Sequence, residues 1–397
     1  MATRTLQAGL RPGLEPAANQ LSCRSYGVFN RIWKKWVAAA RRPIFEPPPL
    51  VLQAMAVSGL IRELRHLVTR YAAGNADDAI MAASTRGDLP TVKWLSTLCT
   101  RGPYVTGALL KACVNGHLAV VRFLTDRFEL TAADARADDN AALLGACAHG
   151  HLAVARFLAG RFGLTAADAC TRENYALGWA CMNGFQSVAQ WLVTHFGLAA
   201  ADARDNDNDA LISACGAGHL SIAQWLVIRF GLTAADARDN KNRALCIACE
   251  MGHLTVAQWL VARFGFSAAD ARASDNGALR GACRNGHLDV AQWLVTRFGL
   301  IAADARAMSN SALRGACACG HLAMVRWLVA RFGLSAVDAR TYCNSALRGA
   351  CQNGHEAVVR FLVVHFGLTE ADACEALGID PRGGMSVVRF LANRFGL

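Results

Sequence analysis

Two helical patterns of apolar residues, one small and one large, alternate along most of the chain. In residues 276–309 the first pattern places Ala278, Leu279, Ala282 and Cys283 at positions i, i+1, i+4 and i+5. That spacing puts all four side chains on one face of a short first helix. Because these side chains are small, another helix can approach this face closely.

A second helix is predicted over about residues 288–298, where the apolar residues are larger and include Trp293. Asn276 stands just before the first helix, and Asn is favoured at an N-cap because its side-chain oxygen accepts a backbone N–H. Asn285 and Gly286 separate the two helices, and glycine readily adopts the left-handed conformation that ends a helix. The unit is therefore predicted to be a helix, a turn and a helix.

A third, very short helix is expected after most second helices, where Ser or Thr stands three residues before an acid. This spacing resembles a capping box, in which the two side chains satisfy backbone N–H groups at a helix start. The pairs are Thr131 and Asp134, Thr165 and Asp168, Thr233 and Asp236, Ser267 and Asp270, Ser335 and Asp338, and Thr369 and Asp372.

The whole unit repeats every 34 residues, as the turn glycines show most plainly. They are Gly116, Gly150, Gly184, Gly218, Gly252, Gly286, Gly320 and Gly354. About eleven units fill residues 48–397: degenerate ones over 48–105, regular ones over 106–375 and a truncated one over 376–397. Because a single unit cannot bury its own apolar faces, neighbouring units are expected to stack.

The order Ala-Leu-x-x-Ala-Cys-x-x-Gly-His-Leu-x-Val-Ala-x-Trp-Leu, found at residues 278–294, resembles the ankyrin repeat. The family's Thr-Pro-Leu-His-x-Ala-Ala segment corresponds to residues 277–283, and its Gly-His-Leu to residues 286–288. Two features depart from the family: the unit exceeds the usual length of about 33 residues, and Thr-Ala-Ala-Asp-Ala stands where the β-hairpin finger is expected. The resemblance implies an all-α fold, an elongated ankyrin-like helical solenoid of about eleven stacked helix-turn-helix repeats. A short helical turn would replace the usual β-hairpin finger.

Composition and cysteine usage are consistent with this picture. Hydrophobic residues make up 53% of the chain and charged residues 18%, which excludes a mainly disordered protein. Eight of the 15 cysteines recur once per unit after an alanine, so we interpret them as small buried apolar residues. No signal peptide is recognisable, which favours a reducing compartment. We expect a cytoplasmic monomer; a nuclear or organelle-targeted location is the alternative.

Residues 1–47 are predicted to be a separate basic segment, partly disordered. Residues 1–48 hold eight bases and two acids. Apolar residues between Val28 and Val37 recur on one face of an amphipathic helix near residues 27–42. Membrane-surface docking, calmodulin-type capture and organelle targeting are the functional interpretations. The alternative is a helix that folds back and caps the first repeat.

The sequence contains no recognisable catalytic motif, so neither an enzyme nor a cofactor is predicted. Cys317, Cys319 and His321 form a candidate metal cluster. Two of the three occupy ordinary repeat positions and zinc usually needs four ligands, so no metal is expected. A histidine follows most turn glycines, and we interpret this column as a turn stabiliser because a reaction centre normally breaks repeat symmetry.

Positions that vary between units are the candidates for partner binding, since constant positions are needed for stacking. The family resemblance implies that such positions line a concave groove. The candidates are Tyr175, Met182, Asn183, Asp209, Arg243, Glu250, Met251, Arg280, Arg284, Asn285, Arg314, Tyr342 and Arg348. The alternative is that they are solvated surface residues under weak constraint.

Two columns of arginine also recur. The first is Arg136, Arg204, Arg238, Arg272, Arg306 and Arg340. We expect it to pair with the aspartate column, because one acid per unit is available; the alternative is a basic ladder for an acidic peptide, phosphate or nucleic acid. The second column is Arg280, Arg314 and Arg348, for which both interpretations stay open.

The sequence predicts a non-enzymatic protein–protein interaction scaffold that binds an unidentified protein partner along the groove. The alternative is an adaptor that couples a groove-bound target to a membrane surface or a ubiquitin ligase through the N-terminal segment. Nucleic acid is not expected, because residues 49–397 carry 33 bases and 28 acids, without a concentrated basic face. Membrane contact is expected only through the N-terminal helix.

Overall fold

A computed structural model of the chain describes residues 76–99 and 102–377, and within these ranges every regular element is a helix. The helices are α1 (Ala76–Arg86), α2 (Leu89–Leu95), α3 (Pro103–Val114), α4 (Leu118–Arg127), α5 (Ala132–Ala135), α6 (Ala137–Ala148), α7 (Leu152–Phe162), α8 (Ala166–Ala169), α9 (Thr171–Met182), α10 (Gln186–Phe196), α11 (Ala200–Gly216), α12 (Leu220–Phe230), α13 (Ala234–Glu250), α14 (Leu254–Phe264), α15 (Ala268–Ala271), α16 (Ala273–Arg284), α17 (Leu288–Phe298), α18 (Ala302–Ala305), α19 (Ala307–Ala318), α20 (Leu322–Phe332), α21 (Ala336–Gln352), α22 (Glu356–Phe366) and α23 (Glu370–Leu377). None of these described helices combines the length and the apolar character needed to cross a bilayer.

The helices stack as a solenoid of repeated pairs, which confirms the predicted all-α architecture. The described residues hold nine such pairs, from α1 and α2 to α21 and α22. The second helix predicted near 288–298 is α17, Leu288–Phe298. The predicted N-terminal segment 1–47, its helix near 27–42, and most of the two outermost predicted units lie outside the described residues.

The first helices of successive pairs form an inner row, and the second helices form an outer row. First helices contact their neighbours far more extensively than second helices do. The close contact is possible because the inner row is built from alanine, glycine and cysteine. An array packed more tightly along one row curves toward it, so the inner row borders the concave side.

The cysteine column fills the inner row as predicted. Cys147, Cys215 and Cys283 are fully buried, and every cysteine of the described residues is free of disulfides. Burial raises the pKa of Cys147 and Cys215 to about 12, so both thiols are protonated at neutral pH. These thiols act as small apolar fillers.

Eight described turn glycines, from Gly87 to Gly320, are each covered by an aromatic ring from the next unit. Gly218 is left-handed, with φ 78°, and a Cβ added to it would lie 2.6 Å from Nδ1 of His253. The ring also reaches backward to a carbonyl: His151 Nε2 lies 3.0 Å from the Val114 oxygen. The histidine column therefore packs units together, which confirms its structural interpretation. Phe185 takes this place over Gly150.

The short third helices form where the capping-box pattern predicts them, and their aspartates also bind the preceding unit. One carboxylate oxygen of Asp168 accepts hydrogen bonds from the Thr165 backbone N–H at 2.8 Å and its hydroxyl at 3.0 Å. Arg136 Nε donates to the other oxygen at 2.6 Å. Where Ala199 and Ile301 replace Ser or Thr, only the backbone N–H is available to the carboxylate.

The first arginine column therefore pairs with the aspartate column, as predicted, and each pair joins one unit to the next. The pairs are Arg136–Asp168, Arg204–Asp236, Arg238–Asp270, Arg272–Asp304, Arg306–Asp338 and Arg340–Asp372. The arginine hydrogen bonds lower the pKa of Asp168 and Asp236 to about 2, outweighing the partial burial of both carboxylates.

The asparagine column has a different role from the predicted N-cap, and that prediction is wrong. Asn140 is the last of three consecutive left-handed residues, with φ 62° after 53° at Asp138 and 57° at Asp139. Its Nδ2 donates to Thr171 Oγ1 of the next unit at 2.9 Å, while its buried Oδ1 accepts no hydrogen bond. Asparagine suits this place because it tolerates the left-handed conformation better than other side chains.

Within the described residues, one pair is missing from this series of arginine–aspartate pairs, which we call the ladder. The gap offers a direct test of the ladder's contribution to stability. Cys170 occupies the arginine position, and its Sγ lies 3.8 Å from Asp202 Oδ1. We expect Cys170→Arg to raise the free energy of unfolding by about 0.5–1 kcal/mol, because a bidentate pair replaces a weak thiol contact. Urea unfolding measures the change. Cys319→Arg adds the same charge at an exposed position, and an equal gain there would contradict the explanation.

The lowered pKa values of these aspartates also make the free energy of unfolding depend on pH. A carboxylate ordinarily titrates near 3.9, so a folded pKa of about 2 means that the unfolded chain binds more protons in acid. The stabilisation is complete above about pH 5 and is lost as pH falls through about 2. Urea midpoints at pH 7, 4 and 2.5 should therefore decline steadily. The double variant D168N/D236N should start lower and decline less; a parallel decline would show that the ladder does not titrate as described.

Candidate partner-binding face

The exposed edge of the inner row, together with the left-handed turns beside it, carries most of the residues that differ from unit to unit. We call this surface the inner face. Residues at the constant positions of the same first helices, such as Leu279 and Ala282, are fully buried. Tyr175, Met182 and Met251 instead leave 42%, 46% and 50% of their surface exposed. Exposed apolar side chains gathered on one surface are typical of interaction sites.

An aromatic hollow lies at the N-terminal part of the inner face. The hollow measures about 320 Å³ and is lined by Ala148, His149, Trp179, Asn183 and Phe185. The Tyr175 ring lies beside it, with its centroid 5.4 Å from that of Trp179.

Trp179 was missed by the sequence analysis, although the repeat itself marks it. The same position is glycine in four other units: Gly145, Gly281, Gly315 and Gly349. In those units a Cβ would meet the preceding first helix, for example Glu250 beside Gly281. At Trp179 the indole instead lies beside Ala148 of the preceding unit and lines the hollow.

The middle of the inner face is polar. The Asp209 carboxylate lies over Gly178 of the preceding unit, where a side chain would collide with it. Partial burial raises the pKa of Asp209, against weak hydrogen bonds of 3.4 and 3.5 Å from the Ser213 hydroxyl. One unit further on, Arg243 Nη1 donates to Glu250 Oε2 at 3.3 Å, so these two candidate residues satisfy each other.

Two candidate residues hold the array together. The Nδ2 atoms of Asn183 and Asn285 donate to carbonyl oxygens of the preceding unit, Ala148 at 2.9 Å and Glu250 at 2.6 Å. Their side chains remain exposed, and one of the two N–H donors of each amide is used between units.

The C-terminal part of the inner face is basic. Arg280, Arg314 and Arg348 stand at one position in three successive units, each half-buried. Exposed Arg284 lies among them, and the Arg314 guanidinium lies 4.8 Å from the centroid of the Tyr342 ring, which is 65% exposed. The inner face therefore changes from aromatic through mixed polar to basic along the array.

The candidate metal cluster is not assembled. Cys317 is fully buried and Cys319 is exposed, so the two thiols lie in different environments. Over residues 76–99 and 102–377, no three His, Cys, Asp or Glu side chains are grouped as metal ligands would be.

Comparison with known families accounts for most of the chain. A family model described as ankyrin repeats (3 copies) matches residues 79–168, 162–236 and 282–372, and one described as ankyrin repeats (many copies) matches residues 245–295. A search of curated proteins finds no match. Ankyrin repeats generally mediate protein–protein interaction, and proteins built from them are typically non-enzymatic. With these matches and its stacked helix pairs, the chain belongs to the ankyrin-repeat family.

Proposed function

We propose that this protein is a non-enzymatic scaffold that binds a segment of another protein along the inner face between Tyr175 and Arg348. The observation that carries the proposal is that five of the nine exposed large apolar side chains of the described residues lie on one surface, whose constant positions are buried. Leaving Tyr175, Met182 and Met251 in water costs free energy that a partner would recover by covering them.

The rigidity of the array supports the same proposal. Most described units are fixed to the next by a ring on a glycine and by an arginine–aspartate pair, for example His253 on Gly218 and Arg204 with Asp236. A surface held in this way loses little conformational entropy on binding, so more of the contact energy appears as affinity. These inter-unit bonds are made by residues at constant positions, so the side chains at variable positions can differ without loosening the stack.

Site-specific photo-crosslinking tests the proposal at a single residue. A benzophenone amino acid replaces Tyr175 on the inner face, or Ile228 on the outer row, where 81% of the side chain is exposed. After irradiation in lysate of the native cell, we expect mass spectrometry to find a discrete protein adduct at position 175 and none at 228.

Met182→Glu in the Tyr175 crosslinking variant supplies the matched control. It places a charge on an exposed apolar position beside the probe and should reduce the adduct at least about fivefold, because a buried charge opposes docking. Recovery of the same proteins from both probe positions, or an adduct insensitive to Met182→Glu, would contradict a partner on the inner face.

A further inference from the structure

The second arginine column differs from the first in having no acid. Arg272, Arg306 and Arg340 are each bonded to an aspartate of the next unit. Among the described residues, no carboxylate forms an ion pair with Arg280, Arg314 or Arg348. The described residues thus supply one aspartate for each of the first three arginines and none for the second three.

Backbone carbonyls hold these unpaired arginines in place. The Nη2 atoms of Arg280 and Arg314 donate to the carbonyl oxygens of Ser274 and Met308, each at 3.0 Å. Arg348 makes the corresponding contact with Tyr342 at 3.4 Å. Each acceptor opens the left-handed turn of the same unit, so the guanidinium is oriented before any ligand arrives.

Two further donors of the column have no partner. The Nε atoms of Arg280 and Arg314 are buried and have no hydrogen-bond partner. Buried polar groups in folded proteins are almost always bonded, and a guanidinium offers its donors in a fork that matches a carboxylate. The described residues thus offer these guanidinium groups no acceptor beyond the backbone carbonyl, and because Nε is covered, a carboxylate from outside would bind the remaining Nη donors.

The surrounding charge favours the same conclusion. Residues 271–350 contain ten arginines against four acids, whereas residues 171–250 contain six bases against eight acids. Two of those four acids, Asp304 and Asp338, are already bonded within the first column. Glu250, at the edge of the basic stretch, is bonded to Arg243. Arg297, Arg326 and Arg331 lie on outer-row helices. The positive charge of the inner face itself therefore comes from Arg280, Arg284, Arg314 and Arg348, which attract an anionic ligand.

The regular repeat also fixes the interval at which that ligand must present its acidic groups. Packed helices lie about 8–10 Å apart, so the three guanidinium groups recur at about that interval. An extended peptide in the polyproline II conformation rises about 3.1 Å per residue with three residues per turn, so every third side chain lies on the same face and passes one arginine. A helical ligand would need roughly seven residues per arginine, and an isolated helix of that total length is marginally stable in water.

We propose that Arg280, Arg314 and Arg348 bind an extended acidic protein segment that carries a carboxylate at about every third residue. This inference rests on the proposed function and names the chemistry of its partner. Single-stranded nucleic acid fits less well, because it is bound on exposed aromatic platforms. The aromatic side chain beside this column, Tyr342, is faced by the Arg314 guanidinium.

Fluorescence anisotropy with the full chain tests the spacing directly. One fluorescein-labelled peptide of about 20 residues carries Glu at every third position, and a second has the same composition with its Glu residues consecutive. Further probes carry Lys in place of Glu, or Glu at every seventh position, and the last is a single-stranded oligonucleotide. We expect the every-third Glu peptide to bind at least about fivefold more tightly than every other probe, and more weakly as salt rises.

Two triple variants supply the matched comparison. R280Q/R314Q/R348Q should weaken binding of the every-third Glu peptide at least about tenfold. R229Q/R263Q/R297Q removes three exposed arginines at the same spacing from the outer row and should change binding less than about twofold. Circular dichroism checks the folding of both variants, and the spacing comparison on the unaltered chain does not depend on either.

Several results would overturn the proposal. They are no binding of the every-third Glu peptide, equal binding of the consecutive or every-seventh peptides, tighter binding of the oligonucleotide, or equal losses in the two variants. A protein adduct at position 175 with no acidic-peptide binding would contradict this inference and still support the scaffold function. Arginine-dependent peptide binding without an adduct at position 175 would confine the contact to the arginine column and contradict a binding face that extends to Tyr175.

Discussion

The absence of a side chain at the turn glycines from Gly87 to Gly320 is the constraint on which the array depends. A ring from the following unit lies where a Cβ would be, as His253 does at Gly218. That contact fixes how far each unit stands from the last, and it brings His151 within hydrogen-bond distance of the Val114 carbonyl. With the spacing fixed, Arg136 reaches Asp168 and the small inner-row residues meet. The cores of successive units thereby become one continuous apolar cluster.

The fixed spacing separates two kinds of position. Residues at constant positions are buried between units or form hydrogen bonds across them. Residues at variable positions remain on the inner face. That face changes in character because neighbouring units differ only at those positions: Trp179 and Tyr175 at one end, Asp209 and the Arg243–Glu250 pair in the middle, unpaired arginines at the other. A rigid support with a graded surface favours recognition of a long segment over recognition of a compact ligand.

Much of this fold could be predicted from the sequence, because 34-residue periodicity repeats every signal many times. The second helix at 288–298, the short capped helix and the arginine–aspartate ladder all follow from side-chain chemistry at fixed spacing. The asparagine column was assigned wrongly because asparagine is favoured both at N-caps and in left-handed turns, and the pattern alone does not separate these. Trp179 was missed because its hollow depends on Ala148, 31 residues earlier, which only the stacked units bring together.

The central claim, that a ring on a bare glycine sets the stacking of units, is tested most directly by two alanine substitutions. Gly231 and Gly218 are both left-handed, with φ 60° and 78°, but a Cβ at Gly231 meets nothing within 4 Å. Gly231→Ala therefore imposes backbone strain alone, about 1–2 kcal/mol. Gly218→Ala adds a collision with His253 and should lower the urea midpoint at least about twice as far. Equal shifts in the two variants would show that the ring contact does not set the stacking.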